Sequence, residues 1–343
     1  TLDFTFNDFS YESIGATTVT GKGVADGHTL FLQSTRAEKH GGTMGIEGTF
    51  PEGSGGQSRI TGNFHRWPIE DALARAGAPA GAAVRVSGRA EYRPAPDADA
   101  GEADLSLAEA TLGDMTFTEG SFRASLRGSR AEVSHLSLEG PRARVFASGS
   151  YDFSTGALVG DLKGSRIDAT LAGGWLRGWP LAGHAAVDVH TETGEDGPCW
   201  KAQLAPEGDL TLSGRPLTSI RLQADGNGTR ARFEGAFGAF AQFSGSIALA
   251  PPHEGEGHIE LRDVPIGSLL SLSRPDLAAQ VGGEIGGEID WSGPVDDISR
   301  IRARAVLGQL RMALGPETLQ ALEPARLSLE EARVRFEGLE LQA

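Results

Sequence analysis

Apolar side chains fall on every second residue through nearly the whole of this chain, as in Leu2/Phe4/Phe6, Phe122/Ala124/Leu126, Val145/Ala147/Gly149/Tyr151/Phe153, Ile220/Leu222/Ala224 and Ile285/Gly287/Ile289/Trp291. Period-two alternation is the pattern of a strand with one face turned away from water. Between the alternating runs lie clusters such as "STG", "EG", "DGNG" and "HEGEG", too short for the helical crossovers that parallel strands need. Successive strands are therefore expected to be antiparallel neighbours in a long meander. The 48 glycines and the low aromatic content, 7%, agree with many short strands and frequent turns.

Three segments break the alternation with apolar residues at i, i+3/i+4: "WPIEDALARAG" (Ile69, Leu73, Ala76), "RIDATLAGGWL" (Ile167, Leu171, Trp175) and "VPIGSLLSLSR" (Ile266, Leu269, Leu270). Each predicts a short helix. Their leading isoleucines recur about every 100 residues, and each segment runs into a glycine-bearing strand, a fixed period that points to an elongated array rather than a globule. The expected organisation is one continuous sheet with weak repeats over 1–68, 69–166, 167–265 and 266–343. The chain starts and ends inside strand patterns, "LDFTF" and "LELQA", and is expected to be a segment of a longer polypeptide.

Charge and composition exclude several classes of function. The formal net charge of -15 opposes nucleic-acid binding, which depends on Lys and Arg neutralising phosphates. It also disfavours adsorption to an anionic membrane surface, though not a lipid held against apolar side chains. No stretch approaches a transmembrane span, and the N-terminus has no signal-peptide pattern. Cys199 is the one cysteine and has no metal-ligand partner at a recognisable spacing.

Catalytic and metal-binding motifs are not found. His253 and His258 in "PPHEGEGHIE" miss the zincin spacing and are expected in a hairpin turn. Asp97, Asp99, Glu102 and Asp104 lack the full calcium-loop arrangement and read as a solvated acidic loop. "HGGTMG" at 40–45 has no accompanying nucleophile elbow and reads as a hairpin turn. "GKGVADG" at 21–27 does not open a helix, as a phosphate cradle must. Trp67, Trp175, Trp179, Trp200 and Trp291 are expected to anchor a core or to line a ligand groove. No enzyme activity, metal or cofactor is expected.

A physical difficulty remains. Roughly thirty strands at about 4.8 Å spacing extend over more than about 100 Å, and nothing of that length in the sequence covers their apolar face. That face either curls onto itself or is filled from outside. The passages "HLSLEGPRARVFASGSYDFSTGALVGDLKGSRID", "DVPIGSLLSLSRPDLAAQVGGEIGGEIDWSGPVDDISRIRARAVLG" and "LEPARLSLEEARVRFEGLELQA" resemble the repeated periplasmic region of TamB proteins and, more widely, the AsmA-like group of bridge-like lipid-transfer proteins. The resemblance spans nearly the whole chain through rhythm and recurrent phrases. It implies a mainly β fold, an elongated, curled antiparallel β-sheet (a β-taco with an open groove) with a few short helices. It further implies a periplasmic location, a parent anchored in the inner membrane, and an Omp85-type outer-membrane barrel as partner through a part of the parent absent here.

The expected function is a segment of a bridge that shields phospholipid acyl chains. The lipid-groove candidates are Leu105, Leu107, Phe117, Phe122, Leu126, Val145, Tyr151, Phe153, Leu158 and Leu162 in the first half. In the second they are Leu210, Leu212, Ile220, Leu222, Phe233, Ile247, Leu249, Ile259, Leu261, Ile289 and Trp291. The glycines are expected to permit turns and curvature and to leave space for a chain lying across the sheet. The alternative is a scaffold for outer-membrane protein assembly, acting through an open β-edge. A polysaccharide-acting β-helix enzyme would need a stripe of exposed aromatics and carboxylates, which the alternation does not provide.

Overall fold

A computed structural model describes residues 1–11, 14–52, 57–75, 81–95, 98–170, 181–194, 197–212, 215–216, 220–267, 281–314, 317–330, 333–337 and 341–342. The described chain is nearly all antiparallel β-sheet and divides into two compact units, Thr1–Arg166 and Ile167–Ala343.

In the first unit β1 (Leu2–Tyr11), β2 (Ile14–Asp26), β3 (Thr29–Lys39), β4 (Gly42–Pro51) and β5 (Arg59–Pro68) lead to the helix α1 (Glu70–Arg75). There follow β6 (Ala83–Arg93), β7 (Ala100–Leu112), β8 (Met115–Arg127), β9 (Arg130–Glu139), β10 (Arg144–Asp152) and β11 (Ala157–Asp168). Each strand pairs with the next, so the expected meander is present.

The second unit contains β12 (Leu181–Ala182), β13 (His184–Gly194), β14 (Gly197–Pro206), β15 (Thr211–Leu212), β16 (Arg215–Pro216), β17 (Ile220–Gly226), β18 (Arg230–Phe237) and β19 (Ala241–Ala248). It continues with β20 (Glu254–Pro265), β21 (Val281–Pro294), β22 (Arg302–Leu314), β23 (Glu317–Ala321), β24 (Ala325–Glu330), β25 (Arg333–Glu337) and β26 (Leu341–Gln342). The meander is interrupted twice. Strands β12, β15 and β16 form a small ladder of their own, so β14 pairs directly with β17. The long β22 then divides its edge between β23 and β24.

Bulges recur along the first unit. Ser34, Arg66 and Glu109 have φ of 54°, 48° and 52°, and register shifts occur beside all three and in the β8–β9 pair. Each bulge adds a residue to one strand and increases the local bend. The curl has a visible consequence. Strands β2 and β6 are separated by three others, about 19 Å apart in a flat sheet, yet α1 touches both, and six helical residues are only about 9 Å long. The helix lies on the apolar face, where Lys39 Nζ donates to Asp71 Oδ2 at 2.6 Å. Around this end are buried Val19, Ala37, Met44, Trp67, Val84 and Val86.

The helical expectations are met in part. "WPIEDALARAG" supplies α1, whose end at 76 and beyond lies outside the described residues. Ile167 is instead the penultimate residue of β11, and only Ala169–Thr170 turn before 171–180, which lie outside the described residues. The equivalent positions are set by geometry. Arg66 and Arg166, both at positive φ, each precede by three residues a backbone N–H that bonds the returning strand: Ile69 to Val84 O at 3.1 Å and Ala169 to Gly183 O at 2.9 Å. Ala169, not Ile167, thus corresponds to Ile69. Asp263 (φ 47°) stands in the same relation to Ile266, which opens a helical turn before 268–280, also outside the described residues.

Candidate functional site

Residues directly opposite in an antiparallel pair project from the same side of the sheet, so the register assigns each side chain to a face. On the apolar face of the first unit one row crosses all eleven strands: Leu2, Gly23, Leu32, Gly48, Ile60, Tyr92, Gly101, Leu126, Ala131, Tyr151 and Leu158. A second row runs Phe6, Val19, Ala37, Met44, Phe64, Gly88, Leu105, Phe122, Leu136, Ala147 and Leu162. Between them, from β4 to β11, lies a row of small residues: Ile46, Gly62, Ala90, Ala103, Ala124, Val133, Gly149 and Gly160.

Alternate residues on a strand are about 6.8 Å apart, so the two outer rows stand roughly 13 Å apart, and the floor from Ala90 to Gly160 between them runs about 24 Å along the sheet. This channel is partly open to water. From Ala90 to Gly160 its floor is half-buried, while Tyr92, Tyr151 and Leu162 on its walls remain 36%, 40% and 37% exposed. At the Trp67 end the face closes into true core, with Val86, Leu107, Phe117 and Leu138 buried.

The second unit repeats the alternation with a different relief. One row runs Val189, Ala202, Ala224, Phe233, Gly245, Gly257, Trp291, Ala303 and Leu329, and its neighbour runs Val187, Leu204, Leu222, Gly235, Phe243, Ile259, Ile289, Ala305 and Leu327. Here, as at Gly21 beneath Phe4 in the first unit, aromatic rings lie over directly opposed glycines. A Cβ on Gly226 would meet Trp200 Cζ2 at 2.7 Å, one on Gly235 would meet Phe243 Cζ at 2.3 Å, and one on Gly257 would meet Trp291 Nε1 at 2.5 Å. The expectation that glycines leave space for a ligand is corrected at these positions: the chain's own rings occupy it, an aromatic cover for strand glycines.

The register places the predicted residues as follows. Leu105, Phe122, Leu126, Val145, Tyr151, Leu158 and Leu162 share the apolar face of the first unit. Phe153 follows β10 and packs edge-on against Tyr151, ring centroids 5.1 Å apart. Leu107 and Phe117 are on that face but in its closed core. Ile220, Leu222, Phe233, Ile247, Ile259, Leu261, Ile289 and Trp291 share the apolar face of the second unit, and Leu249 is exposed in the turn after β19. Leu210 is buried against Ala169, and Ile220 of the apolar face packs against the two. Leu212 is in β15.

The opposite faces are ionic. In the first unit Glu91 accepts from Arg59 and from Arg93, whose Nε is 2.6 Å away, and the Arg59 hydrogen bond leads in holding its carboxyl at about 2. Arg66 and Arg85 share Glu109. In the second unit a cavity of about 1480 Å³ is lined by Arg232, Ser244, Glu256, His258, Asp290 and Arg304 of the polar face and also by Phe233, Gly245, Gly257 and Trp291. His258 Nδ1 is 2.8 Å from Asp290 Oδ1, and this hydrogen bond raises its pKa above 6.5. The cavity mixes both signs of charge, and no Ser244–His258 hydrogen bond joins it into a nucleophilic triad. The sequence offered no sign of this cavity, because it depends on curvature rather than on a motif.

The remaining motifs resolve without chemistry. His253 is in the turn before β20 whereas His258 is within β20, so the two do not form the expected common turn. Asp99 accepts from Tyr92 Oη at 2.8 Å and from the Ala95 N–H, and Asp97 lies outside the described residues. His40 and Gly41 form the β3–β4 turn, and residues 21–26 are strand. Trp67 is core; Trp175 and Trp179 lie outside the described residues. No metal-ligand cluster occurs among the described residues, and no described helix is long and apolar enough to cross a membrane.

Comparison of the chain with protein-family models, with curated proteins and with solved structures returned no match.

Proposed function

We propose that the chain is a lipid-shielding segment, holding phospholipid acyl chains along its apolar β-face as part of a periplasmic bridge between membranes. The observation that carries this reading is the channel in the first unit, with its small-residue floor from Ala90 to Gly160 between the Tyr92–Leu158 and Phe64–Leu162 walls. A polymethylene chain laid along that floor replaces water on three sides. At about 0.8 kcal/mol per buried methylene, ten methylenes amount to roughly 8 kcal/mol before ordering costs. The floor repeats without a single deep pocket, so a chain can slide through similar positions at low barriers, and no catalytic group is required. The resemblance to the TamB region implies a parent anchored in the inner membrane and an Omp85-type barrel as its partner.

A photoactivatable phospholipid carrying a diazirine midway along one acyl chain tests this reading. Crosslinks are expected at Ala103, Ala124 or Val133 and their wall neighbours. Crosslinks confined to the ionic face, or absent, contradict it.

A second reading has its own observation. Among the described residues β1 pairs only with β2, and Leu2 and Phe6 on it are 68% and 51% exposed, the open edge that a client strand would extend. Client-peptide crosslinks at β1, with none on the channel floor, favour the scaffold.

A further inference from the structure

We infer that Phe233 and Trp291 are specificity-determining residues of the second unit: their rings close the recess over Gly245 and Gly257, and an acyl chain enters there only by displacing them. The inference rests on the lipid-shielding reading and adds a division of labour to it. Phe233, Gly245, Gly257 and Trp291 are successive members of one row, on β18, β19, β20 and β21. The rings lean toward each other from either side, with centroids 6.5 Å apart and planes 19° from parallel. Both fill the space that side chains at the glycines would take: Phe233 Cζ is 2.5 Å from a Cβ on Gly245, and Trp291 Nε1 is 2.5 Å from one on Gly257.

On the floor of the first unit the ring of Phe64 takes the space over Gly62, with Cζ 3.0 Å from a Cβ there, but no ring atom is among the three nearest to a Cβ on Gly149. The nearest atoms to that Cβ are all backbone: Val159 O, Gly160 Cα and the Val159 carbonyl carbon. That floor is ready to accept a chain, whereas the second unit must first give up an aromatic stack. Such a pair contributes enough beyond simple burial to weaken ligand binding there by roughly two- to tenfold. The covered section therefore admits a chain that competes with the rings and rejects one that does not.

The test uses the full chain with cis-parinaric acid, a fluorescent polyene fatty acid, as probe. The parent is Ala103→Trp/Ala124→Trp, which fills the channel of the first unit. Phe233→Leu/Trp291→Leu removes the rings, and Trp291→Leu alone breaks the stack while keeping Phe233. Circular dichroism checks that each variant retains its sheet. Both changes are expected to tighten binding by roughly two- to tenfold over the parent. Unchanged or weaker binding in folded variants, with the wild-type chain still binding the probe, overturns the aromatic cover alone. No binding by any form, the ring-free variant included, overturns the lipid reading and this inference together.

Discussion

Gly245 lies directly opposite Gly257, so close that a Cβ on Gly245 would meet Gly257 Cα at 3.1 Å and Glu256 O at 2.4 Å. Backbone cannot yield as a flexible side chain can, so Gly245→Ala is expected to destabilise the second unit by about 1–3 kcal/mol. Gly308, in β22, has nothing within 4 Å of its Cβ position, and Gly308→Ala is expected to change stability by no more than about 0.5 kcal/mol. Urea denaturation of the two variants side by side measures the contrast.

Ser34 has φ of 54° at a bulge of β3 and is exposed. Left-handed backbone costs an ordinary residue about 1–2 kcal/mol. Ser34→Gly is therefore expected to raise the unfolding midpoint, by up to about 1 kcal/mol in stability, and Ser34→Val to lower it by about 1–2 kcal/mol. Equal effects of the two substitutions would remove the bulge from the account of how the sheet bends.

Glu91 and His258 give stability opposite dependences on pH. The Glu91 carboxyl is held at about 2 against an ordinary 4.5, chiefly by its bond from Arg59. Its contribution is complete above pH 4.5 and is lost as pH falls toward 2. The His258 pKa is raised above 6.5 by Asp290, so its contribution is complete below 6.5 and is lost as pH rises through the raised value. Glu91→Gln is expected to flatten the acid limb of a melting-temperature profile, and His258→Gln the limb just above 6.5. A profile unchanged by either substitution shows that the corresponding pair adds nothing to folding.

Much of the apolar face was legible in the sequence because a strand's side-chain period of two is invariant. The run Val145, Ala147, Gly149, Tyr151 meets Gly164, Leu162, Gly160, Leu158 across the "STG" turn, as the alternation on either side of a short turn requires. The bends were not legible, since the bulges at Ser34, Arg66 and Glu109 fall on residue types with no preference for positive φ, and Asp263 is one acidic residue among many. Nor was the aromatic cover, because nothing local to Gly257 names Trp291 as its partner; that depends on register between β20 and β21. The false alignment of Ile167 with Ile69 has a similar cause: apolar spacing was read as helix where Arg166 still belongs to a strand.

Native mass spectrometry of the purified chain against its Ala103→Trp/Ala124→Trp variant addresses the central claim most directly. Both positions are on the half-buried floor of the channel, paired with each other across β7 and β8, so the indoles project into it without breaking the ladder. Copurifying phospholipid is expected on the wild-type chain and a clear loss of it in the variant, with both folded. A lipid-free wild-type chain, or equal lipid on the two, would contradict the claim.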